Sequence, residues 1–505
     1  MANDYIDAAR VYHELTKHSY TSVRSSPQFL DWDIKPMPYK IYPGASSLAL
    51  PRDLSLSAMP ALTALASAPP ADSMIAIDIE ALTRILFCAD GLTRRRSVGG
   101  EDYHFRAAPS AGALYPIEVY VAASEVDGVE RGVYHFSPAD LRMTGLRRGD
   151  WREYLARAAA NRPSILAARA VIALTSIYWR STWKYRARAY RYCFWDAGTM
   201  LANLLAAAAA EGISAEVITA FEDPALEHML GIDGQREGMV ALVALGASDA
   251  PPEPSPTPEA LVLESIPIGD NEVIYNDLLR MHRESRLARS AEVQAVTSAS
   301  LDDESRPAPS NLIEVATLSD DDAMRLGETI LRRGSTRAFA QAPISAEELA
   351  TIMASSSRHP RADCPRLTET YLIANAVDGL QAGAYYYDRE ARGFELLKAG
   401  NFRGEAGYLC LEQPLGMDCS ALVVYMADLE RAMRALGNRG YRDAHLEAGI
   451  HAGRAYLAAY SLGRGATGLT FYDDDTAKFF SPHAAGKSPL LMLALGVPRS
   501  FAQTE

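Results

Sequence analysis

Two stretches of the chain carry groups suited to holding an anionic, planar ligand. One is LRRGSTRAF, Leu331–Phe339, in which Arg332, Arg333 and Arg337 surround Ser335. Guanidinium forks and the free amide N–H groups of a helix start both suit phosphate oxygens. The competing reading is a capped, solvated basic helix start. The other is RAAPSAGALYPIE, Arg106–Glu118. There Pro109, Ser110, Ala111 and Gly112 combine a rigid turn, a hydroxyl and small residues that admit a ligand close to the backbone. Judged locally, it is equally a turn before a strand. His445 and His451 are six apart, a poor spacing for sharing a metal on one helix, so no metal site is expected. Asp320–Asp322 and Asp473–Asp475 read as caps or solvated turns. No P-loop, strand-linked GxGxxG or GxSxG is present, so neither a Rossmann nucleotide domain nor a serine hydrolase is supported.

The elements that must position these groups occur twice. VDGVERGVYHF (Val126–Phe136) matches VDGLQAGAYYY (Val377–Tyr387), and YRYCFWDAG (Tyr190–Gly198) matches YRDAHLEAG (Tyr441–Gly449), both offset by 251 positions. The segments from Phe221 and Phe471, and the strands closing at Gly246 and Gly496, pair at an offset of 250. Shared register over four landmarks marks a duplicated unit and not a solenoid. Each copy reads as an early helix (Ile77–Ala89; Ser345–Ala354) and an alternating strand (Ile117–Ala123; Thr370–Ala376). A GVYHF-type strand, long helices (Trp195–Glu211; His445–Leu462) and an apolar closing strand follow. Helices interleave with hairpin-like strands, which predicts an α+β fold, two tandem domains forming a pseudo-dimer within one chain. The expected divisions are an N-terminal domain over 1–249, a linker with connecting helix over 250–324, and a C-terminal domain over 325–505. APPEPSPTPEA (Ala250–Ala260) suits an exposed linker, Thr297–Ser310 a mobile polar stretch, and Ile266–Leu287 a helix packed across both halves.

The copies are informative where they differ. Helix alignment (Leu349 on Leu82) sets Arg333 and Arg337 against Ala66 and Pro70, so the first copy lacks the arginine cradle. The second copy is 16 residues shorter in the region that holds Pro109–Gly112. Lys184-Tyr185 falls opposite Ala435-Leu436, so that pair also occurs only once.

Composition excludes more than it identifies. The 505 residues carry a net charge of -13, against generic nucleic-acid or anionic-membrane binding, although Arg94–Arg96 forms a local basic cluster. Five scattered cysteines without a CxxC pair suit a reducing cytosol and exclude a disulfide framework. The polar start lacks a signal-peptide core, and the longest apolar run, Met200–Ala210, is too short to span a membrane. A cytoplasmic enzyme is expected.

Taken together, RxSxR at the head of one copy, PSAGALYP before a strand, GVYHF, and YR…DAG before an F-x-D segment resemble the FMN-dependent nitroreductase superfamily. The likeness is greatest to its SagB-type dehydrogenase branch, which includes azoline oxidases of peptide natural-product pathways; VYHELTKHS (Val11–Ser19) resembles the opening of that branch. It covers roughly residues 70–246 and 325–500. The resemblance implies FMN bound between the two halves: Arg333, Ser335 and Arg337 on its phosphate and ribityl chain, and Arg499 as a further phosphate partner. Gly468, Leu469 and Thr470 would present N–H groups near the flavin N5, and Pro109, Ser110, Ala111 and Gly112 would close the site from the first half. One composite site per chain is expected, its twin decayed. The resemblance also implies Lys184 and Tyr185 as the catalytic pair, lysine serving as base if burial lowers its pKa. It implies oxidation of a peptide-derived or small heterocyclic substrate, with dioxygen as reoxidant and biosynthetic enzymes as partners. An NAD(P)H-dependent nitro or quinone reductase, and a non-catalytic flavin-binding subunit, remain the alternatives.

Overall fold

The computed structural model describes residues 3–25, 29–98, 101–301 and 311–499. Each half builds a seven-stranded antiparallel sheet, and the two sheets share one strand order. In the first half it runs Ser47–Ala49, Arg142–Arg148, Gly132–Ser137, Ile117–Ala123, Ala170–Ile177, Glu237–Leu245, Ala215–Ile218; in the second, Leu312–Glu314, Gly393–Ala399, Gly383–Asp388, Thr368–Ala374, Ala421–Ala427, Ser488–Gly496, Gly465–Leu469. With helices interspersed, the fold is α+β, in tandem. The central strands do not alternate as their sequences suggest: Ile117–Ala123 is buried at every position, because other elements cover both faces of the sheet.

Between the sheets lie two long helices, Ala189–Ala210 and Arg439–Ser461, each beginning earlier than its apolar stretch alone indicates. Both are buried nearly all round, which removes the polar stripe that marks a surface helix. The run Tyr178–Ala210 has the length and hydropathy of a membrane span, yet 89% of its apolar window is buried inside the protein. The two helices cross at facing glycines. A Cβ on Gly198 would stand 2.6 Å from the Cα of Gly449, and one on Gly449 would stand 2.9 Å from the Cα of Trp195.

Two buried ion-pair clusters flank the crossing. Asp473 accepts from Arg188 (3.0 Å) and Arg191 (2.8 Å) of the first half. Asp223 accepts from Arg439 and Arg442 of the second half, the latter at 3.1 Å. Each set is the other displaced by the repeat offset. Asp473 is therefore no solvated turn: it is fully buried, and the adjacent arginines hold its carboxyl below the usual carboxylate range against the cost of burial. Of its neighbours, Asp474 meets Lys17 and Asp475 accepts the Tyr408 hydroxyl, both at the surface.

The connecting segments tie the halves further. The helix Asn276–Glu284 sets His282 against Tyr178 (2.9 Å) and Tyr190, while its Glu284 carbonyl accepts from Asn438 (3.0 Å). The Pro-rich linker follows the first half, where Arg152 donates to the Ala250 and Pro251 carbonyls. Of the stretch expected to be mobile, 302–310 lies outside the described residues, and Thr297 and Ser298 end the helix Ser290–Ser298.

Gly198→Ala should cost about 1–3 kcal/mol, since the added methyl meets backbone that cannot step aside. Gly404→Ala, in a helix with open space at its Cβ position, should be neutral or stabilising by about 0.5–1 kcal/mol. Urea denaturation of the two variants checks the contrast.

Candidate functional site

A cavity with about 770 Å3 of empty space, partly open to solvent, lies at the junction of the halves. Pro109, Ser110, Ala111, Gly112 and Tyr185 line it from the first half, and Ser335, Arg337, Gly468, Leu469 and Thr470 from the second. Tyr192, Trp195 and Leu491 add apolar wall. Its mix of aromatic surface with few polar groups is that of a small-ligand site.

The turn Pro109–Gly112 is held by Asp196 of the first long helix. Ser110 donates its hydroxyl to one carboxylate oxygen (2.6 Å), and the Ala111 N–H donates to the other (3.0 Å). The Ser110 oxygen in turn accepts from the Tyr115 N–H (2.9 Å), and Thr199 donates to the Pro109 carbonyl (2.8 Å). Burial pushes the Asp196 carboxyl up to about 7, the two donated hydrogen bonds opposing it. This residue sits inside the DAG landmark of the repeat, where its conversion to Glu447 in the second copy was the available signal.

Lys184 and Tyr185 close the helix Tyr178–Tyr185, which is fixed from behind. Arg180 is buried against Glu118 and the carbonyls of Met37 and Tyr115, and Trp183 donates to the Asp31 carbonyl (2.7 Å). Both side chains come up against Gly112. A Cβ there would lie 2.7 Å from the Tyr185 hydroxyl and 3.2 Å from Lys184 Nζ, and the φ of +66° is itself one that glycine favours. Burial, then the nearby Arg337 charge, lowers the Lys184 pKa, while burial raises that of Tyr185. A lysine shifted this way is a better proton acceptor near neutral pH.

The second half presents a more divided picture. Arg337 is exposed at the cavity and makes no hydrogen bond or ion pair among the described residues. Ser335 lies 3.5 Å from the Tyr456 hydroxyl, which also accepts the Gly468 N–H (2.6 Å). Thr470 accepts from Gln413 (3.3 Å). Arg333, by contrast, does not line the cavity: its buried guanidinium donates to the carbonyls of Ala107 (2.7 Å) and Arg106 (2.9 Å), fastening the halves together. Arg499 is exposed beside the Ala338 carbonyl and also lies off the cavity. Arg94, on the hairpin strand Leu92–Val98, brings a guanidinium nitrogen within 3.2 Å of a Cβ position on Gly334. Aromatic walls, small residues at the turn and an uncommitted arginine at the edge fit a planar ring system carrying phosphate, as FMN does.

The pseudo-twofold counterpart is built differently. Asp363 accepts from the N–H groups of Thr219 (2.8 Å) and Ala220 (3.0 Å), Thr219 being the equivalent of Thr470. The donors that would meet a ring edge are occupied there. Arginines are nevertheless present at that end, supplied by the opposite half: Arg358, Arg361, Arg366 and Arg454 line a separate cavity beside Ala66–Pro69.

The nitroreductase family model matches residues 74–247 and again 330–497. The chain is 32% identical over 156 residues to MJ1384 of Methanocaldococcus jannaschii, named as a nitroreductase, covering 31% of this chain and 75% of that one. It is 29% identical over 170 residues to the trifolitoxin-processing protein TfxB of Rhizobium leguminosarum bv. trifolii, covering 32% of this chain and 45% of TfxB. A crystal structure described as a nitroreductase from Anabaena variabilis superposes over 97% of this chain and 99% of its own, with a TM-score of 0.76 and 28% identity.

The folded protein retains a proton on Asp196 that the unfolded chain releases above about pH 4. The stability this group contributes is full below that pH and is lost as pH rises through about 7. Asp196→Asn cannot lose it. The urea midpoint of this variant relative to the parent should therefore move in the variant's favour between pH 5 and pH 8; a pH-independent difference would show that the carboxyl does not titrate there.

Proposed function

The chain belongs to the nitroreductase family, and from that premise we propose that it is an FMN-dependent dehydrogenase of the SagB type acting on a peptide-derived or small heterocyclic substrate. It is a nitroreductase-like oxidoreductase; the cofactor, the substrate class and the direction of reaction are the proposal. The observation that carries it is Lys184 and Tyr185 packed on Gly112 at the edge of a cavity that Arg337 also lines.

Arg337 would hold the phosphate and Ser335 the ribityl chain, and the Pro109–Gly112 turn and the Gly468–Thr470 segment, which line the same cavity, would contact the ring. Bound there, FMN supplies a two-electron acceptor for hydride. The protein must then take the accompanying proton from the substrate. Lys184, its pKa lowered by burial and by the Arg337 charge, is placed to accept that proton at Nζ. Tyr185, kept protonated by burial, offers its hydroxyl as a donor that orients the substrate. Similarity to a toxin-processing protein favours a substrate tailored during biosynthesis, with partner enzymes acting before or after. Dioxygen would reoxidise the flavin.

Purified protein should carry about one FMN per chain; two would overturn the single-site reading. Arg337→Ala should weaken FMN binding about 10- to 100-fold, the worth of charge-assisted hydrogen bonds to phosphate. Lys184→Met should retain FMN yet fail to convert an azoline-bearing peptide under air into the product lacking two hydrogens, followed by mass spectrometry. Full turnover by Lys184→Met would remove the lysine from the mechanism, and NADPH-driven reduction of quinones without azoline oxidation would favour a reductase.

A further inference from the structure

The cavity beside Ala66–Pro69 occupies the position of a second flavin site, yet its chemistry is its own. Its polar side comes from Arg358, Arg361, Arg366 and Arg454, and its apolar side from Leu65, Leu205, Ala206, Ala209 and Ile213. About 830 Å3 of empty space, partly open to solvent, lies between them.

Arg454 is 7% exposed, and its Nε donates to the Ser355 carbonyl (3.0 Å) while Nη2 donates to the Leu65 carbonyl. Arg358 donates to the Ala66 carbonyl (3.0 Å) and Arg361 to the Pro69 carbonyl (3.2 Å). Among the described residues none of these three has a carboxylate within ion-pair distance; Arg366 alone is so matched, with Glu390 at 2.9 Å. Arg106, Arg152 and Arg191 are buried against Asp90, Asp150 and Asp473, whereas Arg454, like Arg333, is buried against backbone carbonyls and no carboxylate. A buried cation with only neutral acceptors is costly, and burial together with Arg358 lowers the Arg454 pKa to about 10. Glu447, on the same helix as Arg454, is already committed to His359 (3.0 Å) and to the N–H groups of Leu367 and Thr368 (2.8 Å each). An anion from outside the chain would supply a counter-charge that the described residues around these three arginines do not.

We propose that this cavity binds a small ligand with an oxyanion group, phosphate in class, joined to an apolar body. The oxyanion would lie among Arg358, Arg361 and Arg454, and the apolar body on Leu205, Ala209 and Ile213. Flavin is excluded, because Asp363 occupies the amides of Thr219 and Ala220 and the bridge between Val217 and Ala362 fills the adjoining space. The ligand bridges the halves, so its binding couples to their association.

The test is titration calorimetry on protein saturated with FMN, using phenyl phosphate, inorganic phosphate and phenol as probes. Phenyl phosphate should bind saturably, at least 10-fold more tightly than inorganic phosphate, and phenol should not bind. Arg358→Ala/Arg361→Ala, both exposed positions, should weaken phenyl phosphate at least 10-fold with FMN content unchanged; Arg454→Met should abolish its binding. Absence of saturable binding overturns the proposal. So does binding that survives the double variant, or weak binding equal for both phosphates, which would mean an adventitious ion only. Loss of binding in Arg337→Ala instead of the double variant would assign the probe to the flavin cavity and equally overturn it.

Discussion

The crossing of two long helices at Gly198 and Gly449 governs the rest of the molecule. Side chains at those positions would push the helix axes apart, and the walls of both cavities are carried on these helices. Asp196 stands two residues before one glycine and holds the Pro109–Gly112 turn; Arg454 and Tyr456 follow the other by five and seven residues. The close approach therefore sets how far apart the halves of each site stand. Packing of backbone on backbone also explains why the helices are buried on nearly every side.

The buried ion pairs act with that crossing. Asp473 with Arg188 and Arg191, and Asp223 with Arg439 and Arg442, repeat one arrangement on both sides of the pseudo-twofold axis. A buried pair adds little net stability over a well-packed apolar contact, but removing one partner strands a charge. Such contacts select one register of the halves against others. This symmetric frame was kept by both copies, whereas the chemistry was not. One junction retains a turn, a lysine and an exposed arginine; the other has lost the turn, and its spare amides are covered by Asp363. Fusion permits this, because each half now meets only one unlike partner.

Burial does much of the electrostatic work. Asp196 is raised to about 7 while accepting two hydrogen bonds, and Lys184 is lowered in the same cavity. The two shifts bring a carboxyl and an amine toward the range where protons exchange near neutral pH, the condition that acid–base chemistry requires.

The amino-acid sequence by itself determined the duplication, the α+β class and the segments that form the candidate site, because repeat register and hydrophobic patterning are local properties of a chain. It also isolated the asymmetries at Arg337, Pro109–Gly112 and Lys184-Tyr185, since a duplicated chain contains its own comparison. Only the tertiary structure decided which arginines face a cavity. Arg333 reads like Arg337 in sequence but is drawn onto the Ala107 carbonyl, and Asp473 reads as a solvated turn but is buried between two arginines of the other half. Arg358, Arg361 and Arg454 carry no common motif, yet they converge on one cavity. Spacing along the chain specifies a residue's own element, whereas its charge environment is set by elements some 250 positions away.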